Sequence, residues 1–328
     1  MNEGRARGTF AALGERIGAV LGTALILLFF SEYLFLNETS VESLIHAGPR
    51  RLPVLLAEMA GWYSLFAYVF LITLACFSVS SPAALFLAGS ILGWAIEALV
   101  VPVAHEAPPV SWIFPSIGWH GAVDTMLGWY LMRQAMRRLP WPALVAAFMA
   151  LGAFWGGWAS WFWQGAAAET VPAPLSLGAF ARLATIAAGL WISGMILADR
   201  TAARAFLPGR WETGIVAILS VALFVQTGLA FLPGSAGLAA LIALTFATLK
   251  RGQRLRPAGS PDCLQALRAP PGPARHALAV LVPLTAVATY ALVLRFDLAL
   301  PSELINAALL IGGAMAYVGA MWRVARGR

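Results

Sequence analysis

Apolar residues in this chain run in blocks of about 20 rather than alternating, the length at which an α-helix crosses a bilayer. Ten blocks can be placed, at 14–36, 53–77, 82–104, 111–133, 140–163, 176–198, 213–231, 235–249, 276–295 and 303–323. The pattern predicts an all-α fold, a polytopic bundle of about ten transmembrane helices forming one integral membrane domain over 1–328. The eighth block is the shortest, and charge placement argues that it crosses. With ten crossings, 18 of the 22 basic residues fall on the side of the N-terminus, leaving only Arg50, Arg51, Arg182 and Arg295 opposite. Loops rich in Lys and Arg stay inside, so both termini are expected inside; "inner" and "outer" below follow this rule.

Composition agrees. The chain is 60% hydrophobic and 11% charged, with mean hydropathy +0.78, against about a quarter charged in soluble domains. The net charge of +7 lies in short runs between apolar blocks, which argues against a nucleic-acid partner and for a lipid bilayer. Cys76 and Cys263 form no disulfide framework or Cys metal motif. The Ala-, Gly- and Arg-rich, Lys-poor composition points to a bacterial cytoplasmic membrane.

The first block follows basic residues and lacks a small-x-small cleavage site before Asn37, so it is expected to stay as an anchor. Its Gly14, Gly18 and Gly22 form a stripe suited to close helix packing, within the chain or between copies. Outside, Thr39-Ser-Val-Glu42 has capping-box spacing and predicts a short interfacial helix ended by Gly48-Pro49. The basic, Pro-rich stretch 250–275 is expected to be an extended inner linker, followed by a C-terminal helix pair over 276–323.

The region 53–138 carries the candidate chemistry. Ionisable groups at membrane depth are costly and are functional hypotheses by default. His120 and Asp124 stand at i,i+4 on the fourth block, Glu97 on the third and Glu58 on the second. Counting from the outer ends puts Glu58, Glu97 and His120 at similar depth, with Glu32 near enough to join; the inner half is expected to hold no comparable set. Asp124 would orient His120, and a carboxylate beside an imidazole can activate water. Glu58, Glu97, His120 and Asp124 are the candidate catalytic residues. Glu32, Trp62, Trp155 and Trp158 are candidates for substrate contact, and the row Trp155, Trp158, Trp161 and Trp163 suits an aromatic belt or the wall of an apolar ligand. No cofactor is required; Glu97, His120 and Asp124 are the ligands if a divalent metal binds. His105 is expected in solvent, and His46 and His276 at span margins.

Gly93-Trp-Ala-Ile-Glu97 followed by His120-Gly-Ala-Val-Asp124 on successive spans resembles the CPBP/PrsW superfamily of intramembrane glutamic proteases. In that family a Glu-Glu pair, a second motif ending in His or Glu, and a final His-x-x-x-Asn/Asp surround a catalytic water. Glu58 takes the first position alone, between Ala57 and Met59. The resemblance covers residues 53–133 and implies hydrolysis of a membrane-embedded peptide by water activated through Glu58 or Glu97, with His120 assisting.

Three functions fit the sequence. One is an intramembrane hydrolase acting on a peptide or lipid. A second is a proton- or cation-coupled secondary transporter, for which ten spans suit a five-plus-five repeat, Pro283 could break the ninth helix, and Gln226 is the clearest polar residue of the second half. A third is a non-enzymatic lipid-binding or scaffold subunit.

Overall fold

The computed structural model describes residues 2–163, 174–202, 206–257 and 259–328, with side chains from Leu13 onward except 162–163. The predicted wall residue Trp163 thus has its side chain outside the described residues.

Helix α1 covers Asn2–Leu28 and continues as a π-helical stretch, Phe29–Leu34. The short α2, Glu38–His46, starts ahead of the predicted box: the Asn37 side chain accepts the Ser40 amide at 3.2 Å, and the Ser40 hydroxyl turns to Glu32 instead. Helix α3 is Arg51–Cys76 and α4 is Pro82–Leu99, with Ser81 capping the Ala84 amide and proline in the first turn. Helix α5 is π-helical over Ser116–Leu131 and α-helical over Met132–Arg138. Then come α6 (Trp141–Trp158), α7 (Leu177–Thr201), α8 (Arg210–Gly228), α9 (Leu232–Leu255), α10 (Leu281–Phe296) and α11 (Ser302–Ala325).

Eight helical stretches among the described residues are long and apolar enough to cross a membrane, the build of a helical integral membrane protein. One of them, Arg210–Leu255, is interrupted at Leu229–Phe231 and folds back as the α8–α9 hairpin. Divided there, and with α5 included, the stretches make the ten expected rods. Arg16–Glu212, Arg251 on the Ala325 carbonyl and Gln253 on the Cys76 carbonyl gather their basic ends on one side.

Helices α4, α5 and the outer half of α1 form the centre. Helix α4 is 83% buried, whereas α8–α9 is mostly exposed, with Ile215, Ile218 and Val221 on its open face. An all-apolar helix buries itself centrally, whereas an exposed apolar face suits lipid. Helix α1 packs on α7 with Gly22 against the Gly194–Ala198 backbone, so the glycine stripe works within the chain, while Gly14 has open space around it. Helix α6 packs on α10 through Gly152 and Gly156. Pro283 falls in the first turn of α10, directly after the 3₁₀ turn Leu278–Val280 that interrupts the helical stretch Pro273–Phe296.

Two loops are more folded than expected. Helix α4 ends at Leu99 and α5 begins at Ser116, because Pro102, Pro108, Pro109 and Pro115 lack the amide a continuous helix needs. The residues between fold over the outer ends of both, with the Trp112 carbonyl accepting from Trp94 Nε1 at 2.9 Å and the Ala104 carbonyl accepting from the Ser111 hydroxyl. The inner Pro-rich stretch is a folded cover, not an extended linker. The Cys263 carbonyl accepts from Tyr130 and Gln134, Arg137 reaches the Leu267 and Ala269 carbonyls, and Arg275 reaches those of Met136 and Leu139. Carbonyls of the Pro-rich backbone accept from α5 side chains, and Arg275 of the cover donates back to carbonyls at the end of α5.

Candidate functional site

Glycines decide how closely the central helices approach. A Cβ on Gly93 would collide with the Ser116 carbonyl oxygen, and one on Gly89 would meet the Thr125 side chain at 2.7 Å. The missing side chains let α4 lie against α5, and Glu97, one turn beyond Gly93, reaches the imidazole. Gly128 faces the Phe30 ring and lets α1 approach from the other side.

The result is a chain of three ionisable groups. His120 Nε2 hydrogen-bonds Glu97 Oε1 at 2.7 Å, and Nδ1 hydrogen-bonds Asp124 Oδ2 at 2.7 Å. The Ser31 hydroxyl lies 3.2 Å from Nδ1. His120 is 3% exposed and Asp124 fully buried, while the Glu97 side chain keeps 11% exposure, so burial deepens along the chain from Glu97 to Asp124. Asp124 Oδ1 is buried and, among the described residues, has no hydrogen-bond partner. Two short contacts need two protons among three groups, which leaves one net negative charge. A third proton would neutralise the set.

The other predicted residues lie around or away from this line. Glu32, next to Ser31, accepts from Tyr63 Oη at 2.6 Å and Ser40 Oγ at 2.7 Å. Trp155 and Trp158 are buried, donating to the Tyr33 and Phe35 carbonyls, as Trp119 does to that of Phe30. These indoles serve carbonyls of the π-helical segment of α1, and Trp158 continues by stacking into Trp161. Glu58 stands outside the cluster. Its side chain is 54% exposed and pairs with Arg51 at 3.3 Å. Similar depth did not bring it in, because α3 turns Tyr63, Phe66, Phe70 and Leu74 to the core and Glu58 and the exposed Trp62 to the opposite face.

The donor geometry does not suit a metal. Glu97 and Asp124 bind opposite nitrogens of one ring, so the three side chains are strung out rather than converging on a point. Among the described residues no group of three or more His, Cys, Asp or Glu side chains is arranged to hold an ion.

Two buried polar groups escaped the sequence reading. At the inner end, Asp199 accepts from Arg133 and Arg137 at 2.8 Å and pairs with His276 at 3.0 Å, so the inner half does hold an ionic set and His276 has a buried role. The available signal was an Asp and an Arg at equal inner depth on separate spans. His105, expected in solvent, is 1% exposed and bonded to Ser235 Oγ at 2.8 Å and the Ala98 carbonyl at 3.1 Å. Thr227 joins it, while the neighbouring Gln226 faces outward. Only the folding of 100–115 brings His105 under the hairpin.

No protein-family model matches this sequence, and no curated protein or solved structure is significantly similar to it.

Proposed function

We propose that this membrane protein is a proton-coupled secondary transporter in which Glu97, His120 and Asp124 bind and pass on a proton. The observation that carries the reading is that both imidazole nitrogens are held at 2.7 Å by carboxylates, on a buried line from Glu97 to Asp124. Carboxylate–imidazole chains inside membrane bundles are the usual material of proton relays. The set alternates between one negative charge and none, and that change in a low-dielectric interior alters the energy of neighbouring packing. Helix α5 is a suitable responding element, since its long π-helical stretch bonds i→i+5 and π segments occur frequently at functional sites.

Proteoliposomes loaded with a pH-sensitive dye test the reading. Under an imposed inward proton gradient, with a defined mixture of amino acids, sugars and organic acids outside, wild type should acidify the lumen faster than protein-free vesicles. Glu97→Gln and Asp124→Asn should each remove the difference. Equal acidification by wild type, both variants and empty vesicles would sink the proposal.

The second reading is an intramembrane hydrolase, as the resemblance to the CPBP/PrsW superfamily implies. The contact between Glu97 and His120 supports it, because these are the second- and third-motif residues. Against it stand the outward-facing Glu58 and an imidazole with both nitrogens engaged, leaving none to take a proton from water. Cleavage of a transmembrane peptide by wild type, abolished by Glu97→Gln and His120→Ala, would favour hydrolysis.

A further inference from the structure

The inner ends of α1, α3, α5 and α7 surround a cavity of about 460 Å³, bordered on the loop side by Arg256, Asp262, Leu264, Leu267 and Arg268. A second cavity of about 510 Å³ lies on the other side of that loop, and Arg256 and Asp262 border both. The first has two unlike walls. Arg133, Arg256, Arg268 and Asp262 are charged, whereas Leu71 and Leu74 belong to the apolar α3.

The charges do not balance. Arg268 pairs with Asp262 at 3.0 Å. Arg133, 2% exposed, shares the single Asp199 carboxylate with Arg137. Arg256 donates to the Ser260 and Pro261 carbonyls and, among the described residues, to no carboxylate. The wall therefore carries excess positive charge, from buried Arg133 through half-buried Arg256 to exposed Arg268. Arg138 and Arg328 add to it across the cover. Basic pockets between transmembrane helices at the inner surface suit phosphate-bearing headgroups, and the leucine wall suits the chains that carry them.

We propose that this cavity binds the phosphate of an anionic phospholipid, with Arg256 and Arg268 holding the headgroup from the loop side and the acyl chains leaving along Leu71 and Leu74. The cavity reaches α5 at Trp129 and Arg133, inward of Asp124 on the same helix, but binding there does not depend on the function of the Glu97–His120–Asp124 chain. The bound lipid would tie the inner cover to the bundle, since its headgroup contacts the loop and its chains contact α3.

The experiment uses the full chain in a neutral detergent, titrated separately with short-chain phosphatidylglycerol, short-chain phosphatidylcholine and inorganic phosphate. Tryptophan fluorescence reports occupancy, because Trp129 lines the cavity. Phosphatidylglycerol should bind at least about tenfold more tightly than phosphatidylcholine, and inorganic phosphate should compete only weakly. The double variant Arg256→Gln, Arg268→Gln should weaken phosphatidylglycerol binding roughly thirtyfold, and Arg256→Lys, Arg268→Lys should recover most of it. Equal binding of the two lipids, or a glutamine variant that titrates like wild type, would overturn the site. Inorganic phosphate binding as tightly as phosphatidylglycerol would overturn its assignment to lipid. If the glutamine variant does not fold, the lipid comparison on wild type and the lysine variant decide.

Discussion

His120 matters because it compensates two carboxylates at once. Replacing it with alanine leaves Glu97 and Asp124 buried without their partner, and breaking a buried ionic contact costs about 3 kcal/mol or more. His120→Ala should therefore lower the thermal midpoint measured in detergent. Glu58→Gln, at an exposed pair with Arg51, should leave that midpoint within about 0.5 kcal/mol of wild type, as exposed pairs contribute little. The cysteines offer a second residue-level test. Burial, helped by the Asp262 carboxylate, pushes the Cys263 thiol up to about 11, while Cys76 is exposed. Thiolate is the reactive form, so a maleimide at neutral pH should label Cys76 first. Labelling of Cys263 should rise as pH climbs toward its raised value, measured by mass spectrometry of the intact chain.

At the scale of elements, the contact between α4 and α5 positions the site, and Gly93 controls that contact. Gly93→Ala puts a methyl group into the Ser116 carbonyl and 3.0 Å from the His120 Cβ. Overpacking of this kind costs about 1–3 kcal/mol and displaces Glu97 from the ring. Gly61→Ala is the control, since nothing lies within 4 Å of its Cβ position, and alanine in a helix interior is better than glycine by about 0.5–1 kcal/mol. Thermal unfolding should show Gly93→Ala destabilised and Gly61→Ala unchanged or stabilised. The glycine in Gly93-x-x-x-Glu97 was visible in the sequence as a small residue on the glutamate's face. That it admits a carbonyl of the next helix was not visible, because the α5 start depends on how the prolines of 100–115 fold.

At the scale of the molecule, Asp199 joins α5, α7 and the segment entering α10 through Arg133, Arg137 and His276. Asp199→Asn leaves two buried guanidinium groups without a carboxylate. It should loosen the 256–276 cover, which Arg137 also holds. The measurable outcome is faster cleavage by trypsin at Arg268 and Arg275 in inside-out vesicles, together with a stability loss of about 3 kcal/mol or more. Cleavage at the wild-type rate would show that the cover is held independently of the ionic cluster.

The sequence by itself determined the rods and their direction. Block length, composition and the placement of arginines are local or additive properties, and a bilayer reads them one segment at a time. It also marked Glu97, His120 and Asp124, because charge in an apolar block is conspicuous without any partner in view. Which of the depth-matched groups meet was decided by tertiary structure. Glu58 and Glu97 differ in the rotation of their helices about their own axes, and that rotation follows from which apolar faces pack. The same holds for Asp199 with its arginines and for His105 under the hairpin, whose partners lie 66 and 130 residues away in the chain. A buried charge announces that it needs a partner, but only the packed bundle supplies one.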